Sequence, residues 1–154
     1  MIIRNPLIFG ELDKSVVSPA SAMVNGQIVF TIYGGPILIL ALLSICVTAN
    51  SAAANTMFWT ASPTIGTPKQ ITAATGALAS ATAGTTILLN PTSLVTAPDI
   101  VTAAAGGVQI GANVSNRIMV PAGSLTLGCS GVNPGTWQHY LRYSPLSPDV
   151  VVNV

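Results

Sequence analysis

Apolar positions along this chain fall in short runs punctuated by Gly, Pro, Asn and Thr, and one stretch stands apart. Residues 28–49, IVFTIYGGPILILALLSICVTA, carry no charged side chain. About 20 apolar residues suffice for a helix across a bilayer, so a membrane span is one reading of it. Three features oppose that reading. Gly34-Gly35-Pro36 interrupts the run, and the remaining Ile37–Val47 is shorter than the ~17 residues a span needs. No Lys or Arg lies between Lys14 and Lys69, so no flanking cation sets an orientation. The rest of the chain also lacks the polar loops that separate spans. A secretory leader is not expected either, because the stretch starts late and has no cationic lead directly before it.

A β reading fits better. Gln27–Tyr33 (QIVFTIY) is rich in β-branched and aromatic residues, which suit a pleated, buried surface. Gly34-Gly35-Pro36 is a turn signal, and Ile37–Asn50 reads as a long second strand, so the sequence predicts a β-hairpin. A strand apolar on both faces is covered on both sides. One face is expected against the domain core and the other against a neighbouring subunit.

From Met57 onward, further strands are expected at Met57–Thr60, Gln70–Ala73, Ala77–Ala81, Thr85–Leu89, Ile100–Ala103, Gly107–Gly111, Arg117–Val120, Ser124–Cys129, Trp137–Tyr143 and Val150–Val154. Turn residues separate them, and Ala103–Ala105 is a place for one short helix. Such regular punctuation predicts an all-β fold, a β-sandwich or jelly-roll-like domain. Small side chains dominate from Ile71 to Asn113 and permit close backbone approach. Residues 1–25 differ, holding Arg4, Glu11, Asp13 and Lys14 together with Pro6 and Pro19. They read as an extended N-terminal arm (1–25) ahead of the sandwich domain (26–154), with Arg4, Leu7 and Phe9 as candidate arm contacts. A frayed terminus is the alternative.

Composition narrows the function. The 154 residues include only 5 Lys+Arg and 4 Asp+Glu, 6% charged, against roughly 25% in ordinary soluble domains. Mean hydropathy is +0.66. A compact monomer of this mass exposes roughly 7,200 Å², or about one charge per 800 Å². With a formal net charge of +1, little colloidal repulsion opposes association. Disorder is excluded by the abundance of Ile, Leu and Val. Nucleic acid is not an expected partner, because no cluster of Lys and Arg exists to displace counterions.

No catalytic constellation is visible, and the chain is expected to be non-enzymatic, with no cofactor or metal. His139 is the only histidine, and a general base or metal site needs an orienting group or further ligands. A structural or interface role is expected for it; hydrolysis through His139 is the competing idea. Cys46 and Cys129 lie in apolar strands outside any C-x-x-C motif and are expected as free thiols packed as small hydrophobes, a disulfide being the alternative. No phosphate loop, nucleophile elbow or informative carboxylate pair occurs. The segment Trp137–Tyr143 (WQHYLRY) concentrates the residue types of interface hot spots, and core and interface are both open for its aromatics. The candidate interface residues are Ile37, Ile39, Leu43, Trp137, His139, Tyr140, Arg142 and Tyr143.

Three stretches, GQIVFTIYGGPILILALLSICVTAN (26–50), VPAGSLT (120–126) and GTWQHYLRYSPL (135–146), are similar to small virion structural proteins of tailed bacteriophages. The resemblance implies a β-sandwich subunit, trimeric, that cements or decorates a capsid surface by bridging copies of the major capsid protein. It implies a virion location after synthesis in the host cytoplasm, and no functional residues carry over. The competing readings are a tail or fibre-associated virion protein and a small phage membrane protein.

Overall fold

The computed structural model describes residues 13–88, 99–101, 118–131 and 133–154, and these contain strands and no helix. In chain order the strands are β1 (Lys14–Val17), β2 (Ser21–Met23), β3 (Gln27–Tyr33), β4 (Ile37–Thr48), β5 (Met57–Pro63), β6 (Lys69–Gln70), β7 (Thr86–Leu88), β8 (Asp99–Val101), β9 (Ile118–Val120), β10 (Gly123–Cys129), β11 (Asn133–Pro145) and β12 (Val151–Asn153). They form two antiparallel sheets. The first runs β1-β11-β4-β7-β8, with β2 also on β11 and β9 also on β4. The second runs β12-β3-β10-β5-β6. The chain is thus an all-β sandwich, as its punctuation predicted. No helix among the described residues is long and apolar enough to cross a membrane.

Both sheets contribute to one core. The first sheet sends in Met23, Ile37, Ile39, Leu42, Cys46, Trp137, Leu141 and Tyr143, and the second Phe30, Ile32, Met57, Trp59, Leu125 and Leu127. Each fully buried large apolar side chain contributes about 1.5–3 kcal/mol. Long-range pairing of β4 with β11 builds the centre of the first sheet, from Thr48 opposite Thr136 to Ile37 opposite Pro145.

β4 is long and apolar throughout, yet it has a defined inner face. Ile37, Ile39, Leu42, Ser44 and Cys46 point inward. Strict alternation would break between Ile39 and Leu42. The register with β11 shifts there, Tyr143 facing Ile39 and Arg142 facing Ala41, so Leu40 is an extra residue. A bulge puts two residues against one, and here it keeps both halves of the strand facing the core. A similar shift leaves out Val47, and another in β3 leaves out Val29.

The expected hairpin is not formed. β3 and β4 have the expected positions, but β3 pairs with β10 and β12 while β4 pairs with β11, β7 and β9. The turn between them therefore crosses from one sheet to the other. Gly34 (φ 78°) and Gly35 (φ 155°) take conformations closed to most L-residues. A Cβ on Gly34 would collide with the carbonyl oxygen of Asp149. This arch lets the apolar inner faces of both strands meet in one core, which a flat hairpin in one sheet would prevent.

Two other expectations need correction. Residues 77–81 form no strand. Residues 71–80 instead follow β5 by mixed bonding. Met57 N donates to Thr75 Oγ1 (3.0 Å) and Trp59 N to Thr72 Oγ1 (2.9 Å), while Ile71 N and Thr75 N donate to the carbonyls of Trp59 and Met57. Threonine hydroxyls thus replace part of a ladder, as short polar side chains do. The boundary at residue 25 also moves. β1 and β2 pair with β11, so residues 14–23 belong to the sandwich, because Val16 and Met23 add apolar surface to the core. Arg4, Leu7 and Phe9 lie outside the described residues, as do the expected strand 107–111 and the Ala103–Ala105 segment.

Candidate interface and the buried polar cluster

The pairing registers assemble an apolar belt across the outer face of the first sheet. Val17 lies opposite Tyr140, Tyr140 opposite Leu43, and Leu43 opposite Leu88. Antiparallel partners share a face, so these four side chains form one row spanning β1, β11, β4 and β7. Val17 is 42% exposed, and Tyr140, Leu43 and Leu88 are half-buried. Neighbouring rows add Ile45 opposite Gln138 and Leu38 opposite Met119, with Met119 exposed. Described charges border this belt at both ends: Arg142 donates from Nη2 to Asp13 Oδ2 at 2.6 Å in an exposed ion pair, and Asp99 of β8 lies opposite Leu88. Tyr140 and Arg142 are of the residue types that dominate interface hot spots; Val17, Leu43 and Leu88 add apolar area around them.

Of the eight residues expected at an interface, the fold divides them by face. Leu43, Tyr140 and Arg142 are on the outer surface. Ile37, Ile39, Trp137, His139 and Tyr143 are buried in this chain's own core. The division follows from the pleat: from Trp137 to Tyr143 on β11 the odd-numbered positions point inward and the even-numbered ones outward. Val17 and Leu88 complete the belt and were not singled out in the sequence. Only the register brings them into line with Leu43.

Inside, His139 is 1% exposed. Its Nδ1 shares a 2.8 Å hydrogen bond with Ser44 Oγ from β4. Its ring meets Trp59 of the opposite sheet edge to face, centroids 5.2 Å apart at 89°. Its backbone is held by Ser18: His139 N donates to Ser18 Oγ (3.0 Å), and Ser18 N donates to the His139 carbonyl (2.8 Å). Among the described residues Nε2 has no hydrogen-bond partner. Burial holds the imidazole neutral, with its pKa lowered to about 4. A serine–histidine pair resembles part of a hydrolase, but a nucleophile needs an open approach and an orienting third group. Neither Ser44 nor His139 reaches the surface, and the described charged side chains with defined exposure, Asp13, Lys14, Lys69, Arg142 and Asp149, all face solvent. The pair's evident chemistry is to join β4 and β11 beneath Trp59.

A second polar contact fastens the loop to the core. Trp137 Nε1 donates to Asn50 Oδ1 (3.0 Å), and Asn50 Nδ2 donates to the Leu78 carbonyl (2.9 Å). Cys46 and Cys129 are both free thiols, and both are buried. Desolvation raises the pKa of Cys46; its Sγ donates to the Thr48 carbonyl at 3.2 Å. Among the described residues no group of His, Cys, Asp or Glu is placed to hold a metal ion.

Compared with known proteins, the chain matches no family model, no curated protein and no solved structure.

Proposed function

We propose that this chain is a non-enzymatic structural subunit of a large assembly, a tailed-phage virion protein of the cement or decoration type. The observation that carries this reading is the Val17–Tyr140–Leu43–Leu88 belt. It is an apolar row four strands wide, on a chain with 9 formal charges in 154 residues (5 Lys+Arg and 4 Asp+Glu). Apolar area removed from water at such a face contributes roughly 25 cal/mol per Å² before association costs. The belt serves self-association, a trimer in this reading, and contact with the major capsid protein. Several weak contacts on one rigid oligomer then act together through avidity. The sequence resemblance to virion proteins supplies the identity of the assembly, and the belt supplies the physical means.

The test is Leu43→Asp. It places a carboxylate in the belt and leaves the core untouched. The variant is expected to fold, to lose self-association by light scattering, and to fall below wild-type occupancy on particles. Full occupancy of Leu43→Asp would remove the belt from the binding surface. Localising the chain by cryo-electron microscopy separates a capsid position from a tail or fibre position.

A further inference from the structure

His139 stands at the contact between the two sheets with half of its hydrogen-bonding capacity unused. Nδ1 is paired with Ser44, Nε2 has no partner among the described residues, and the ring meets Trp59 edge to face across the sandwich. A neutral imidazole has one N–H and one bare nitrogen; an imidazolium has two N–H donors. Ser44 Oγ can accept one of them. The second, on Nε2, would be a charged donor buried without an acceptor, which a low-dielectric interior strongly disfavours. The inward titratable groups on the packed elements are Cys46 on β4, Cys129 on β10 and Tyr143 on β11. Burial raises the pKa of Cys46 and of Tyr143, so neither supplies an anion to the ring. No carboxylate with defined exposure turns inward: Asp13 and Asp149 are both exposed.

We propose that His139 is an acid-sensitive latch in the sandwich core, tying β11 to β4 beneath Trp59, closed while its imidazole is neutral and released when the ring must take a second proton. This device is independent of the assembly reading. Few other groups can share the acid response, since the whole chain has 1 histidine and 4 carboxylates. In most proteins many paired carboxylates share that role.

The direction follows from linkage. The folded ring titrates at about 4, and the unfolded ring near the ordinary histidine value of ~6.5. Above ~6.5 both states are neutral and stability is flat. Below it the unfolded state binds the proton first, so stability falls with pH until the folded ring also titrates. The unfolding equilibrium constant is expected to rise on the order of a hundredfold between pH 7 and pH 4.

Two measurements decide this on the full-length protein. In urea titrations from pH 7 to pH 4, wild type should show that rise, and Ser44→Ala/His139→Leu, which removes the ring and its partner together, should show a nearly flat profile. A double variant with the wild-type slope overturns the latch. The second measurement needs no variant: the ring carbon resonances of His139 in the folded protein, followed by NMR through the same range. A midpoint well below 6 supports the latch even if the double variant does not fold. A midpoint at 6 or above, in folded protein, overturns it.

Discussion

Ser44 is the one hydroxyl on the inner face of β4, between Leu42 and Cys46, and its hydrogen bond is the only one the His139 ring makes among the described residues. Removing it leaves a buried imidazole with both nitrogens unpartnered. Ser44→Ala is expected to destabilise the fold by about 1–3 kcal/mol, read as a lower urea midpoint with an unchanged slope. Ile39→Asp is a harsher change, because Ile39 is 3% exposed and a carboxylate there would be buried without a cation. It is expected to abolish cooperative unfolding, in contrast to Leu43→Asp four residues on, which faces out. The sequence contained a signal for Ser44, a lone polar residue in an apolar strand two positions from Cys46. It contained none for Ser18, which follows β1, or for Trp59 on β5, which reach His139 from distant parts of the chain.

At the level of the strand, β4 shows why apolar content alone could not assign faces. Its inner positions are 37, 39, 42, 44 and 46, a pattern that matches no single period, since Leu40 is inserted by a bulge. Deleting Leu40 removes the extra residue and leaves regular alternation, with Ile37, Ile39, Leu42, Ser44 and Cys46 still on one face. That variant is expected to fold with a loss of about 1 kcal/mol, the usual effect of a modest change. Deleting Leu43 instead turns one half of the strand over, since a one-residue slip exchanges the faces, and is expected to prevent folding. Circular dichroism and urea titration of the two deletions distinguish these outcomes. The positions of β3, β4, β10 and β11 were legible from β-branched and aromatic runs bounded by Gly and Pro. The stretch at 77–81 was not, because Thr72 and Thr75 satisfy the backbone of β5 with side chains in place of a ladder.

For the molecule as a whole, the N-terminal residues belong to two different parts. Lys14–Val17 and Ser21–Met23 are strands on β11, and Ser18 between them fixes the backbone of His139. Deleting residues 1–20 is therefore expected to destabilise the sandwich by several kcal/mol, since it removes β1 and orphans buried backbone groups. Deleting residues 1–12 spares both. It is expected to leave the urea midpoint unchanged and, on the arm reading, to weaken binding to particles. What the sequence determined by itself was the class of fold: few charges, many short β-forming runs and frequent turn residues leave strands as the way to bury this much apolar side chain. Tertiary structure decided the rest, namely which sheet each strand joined, which face turned inward, and that Val17, Tyr140, Leu43 and Leu88 form one row. Hydrophobic burial is non-directional. A strand apolar on both sides accepts either face, so only pairing with residues nearly a hundred positions away, as Leu43 with Tyr140, selects between them.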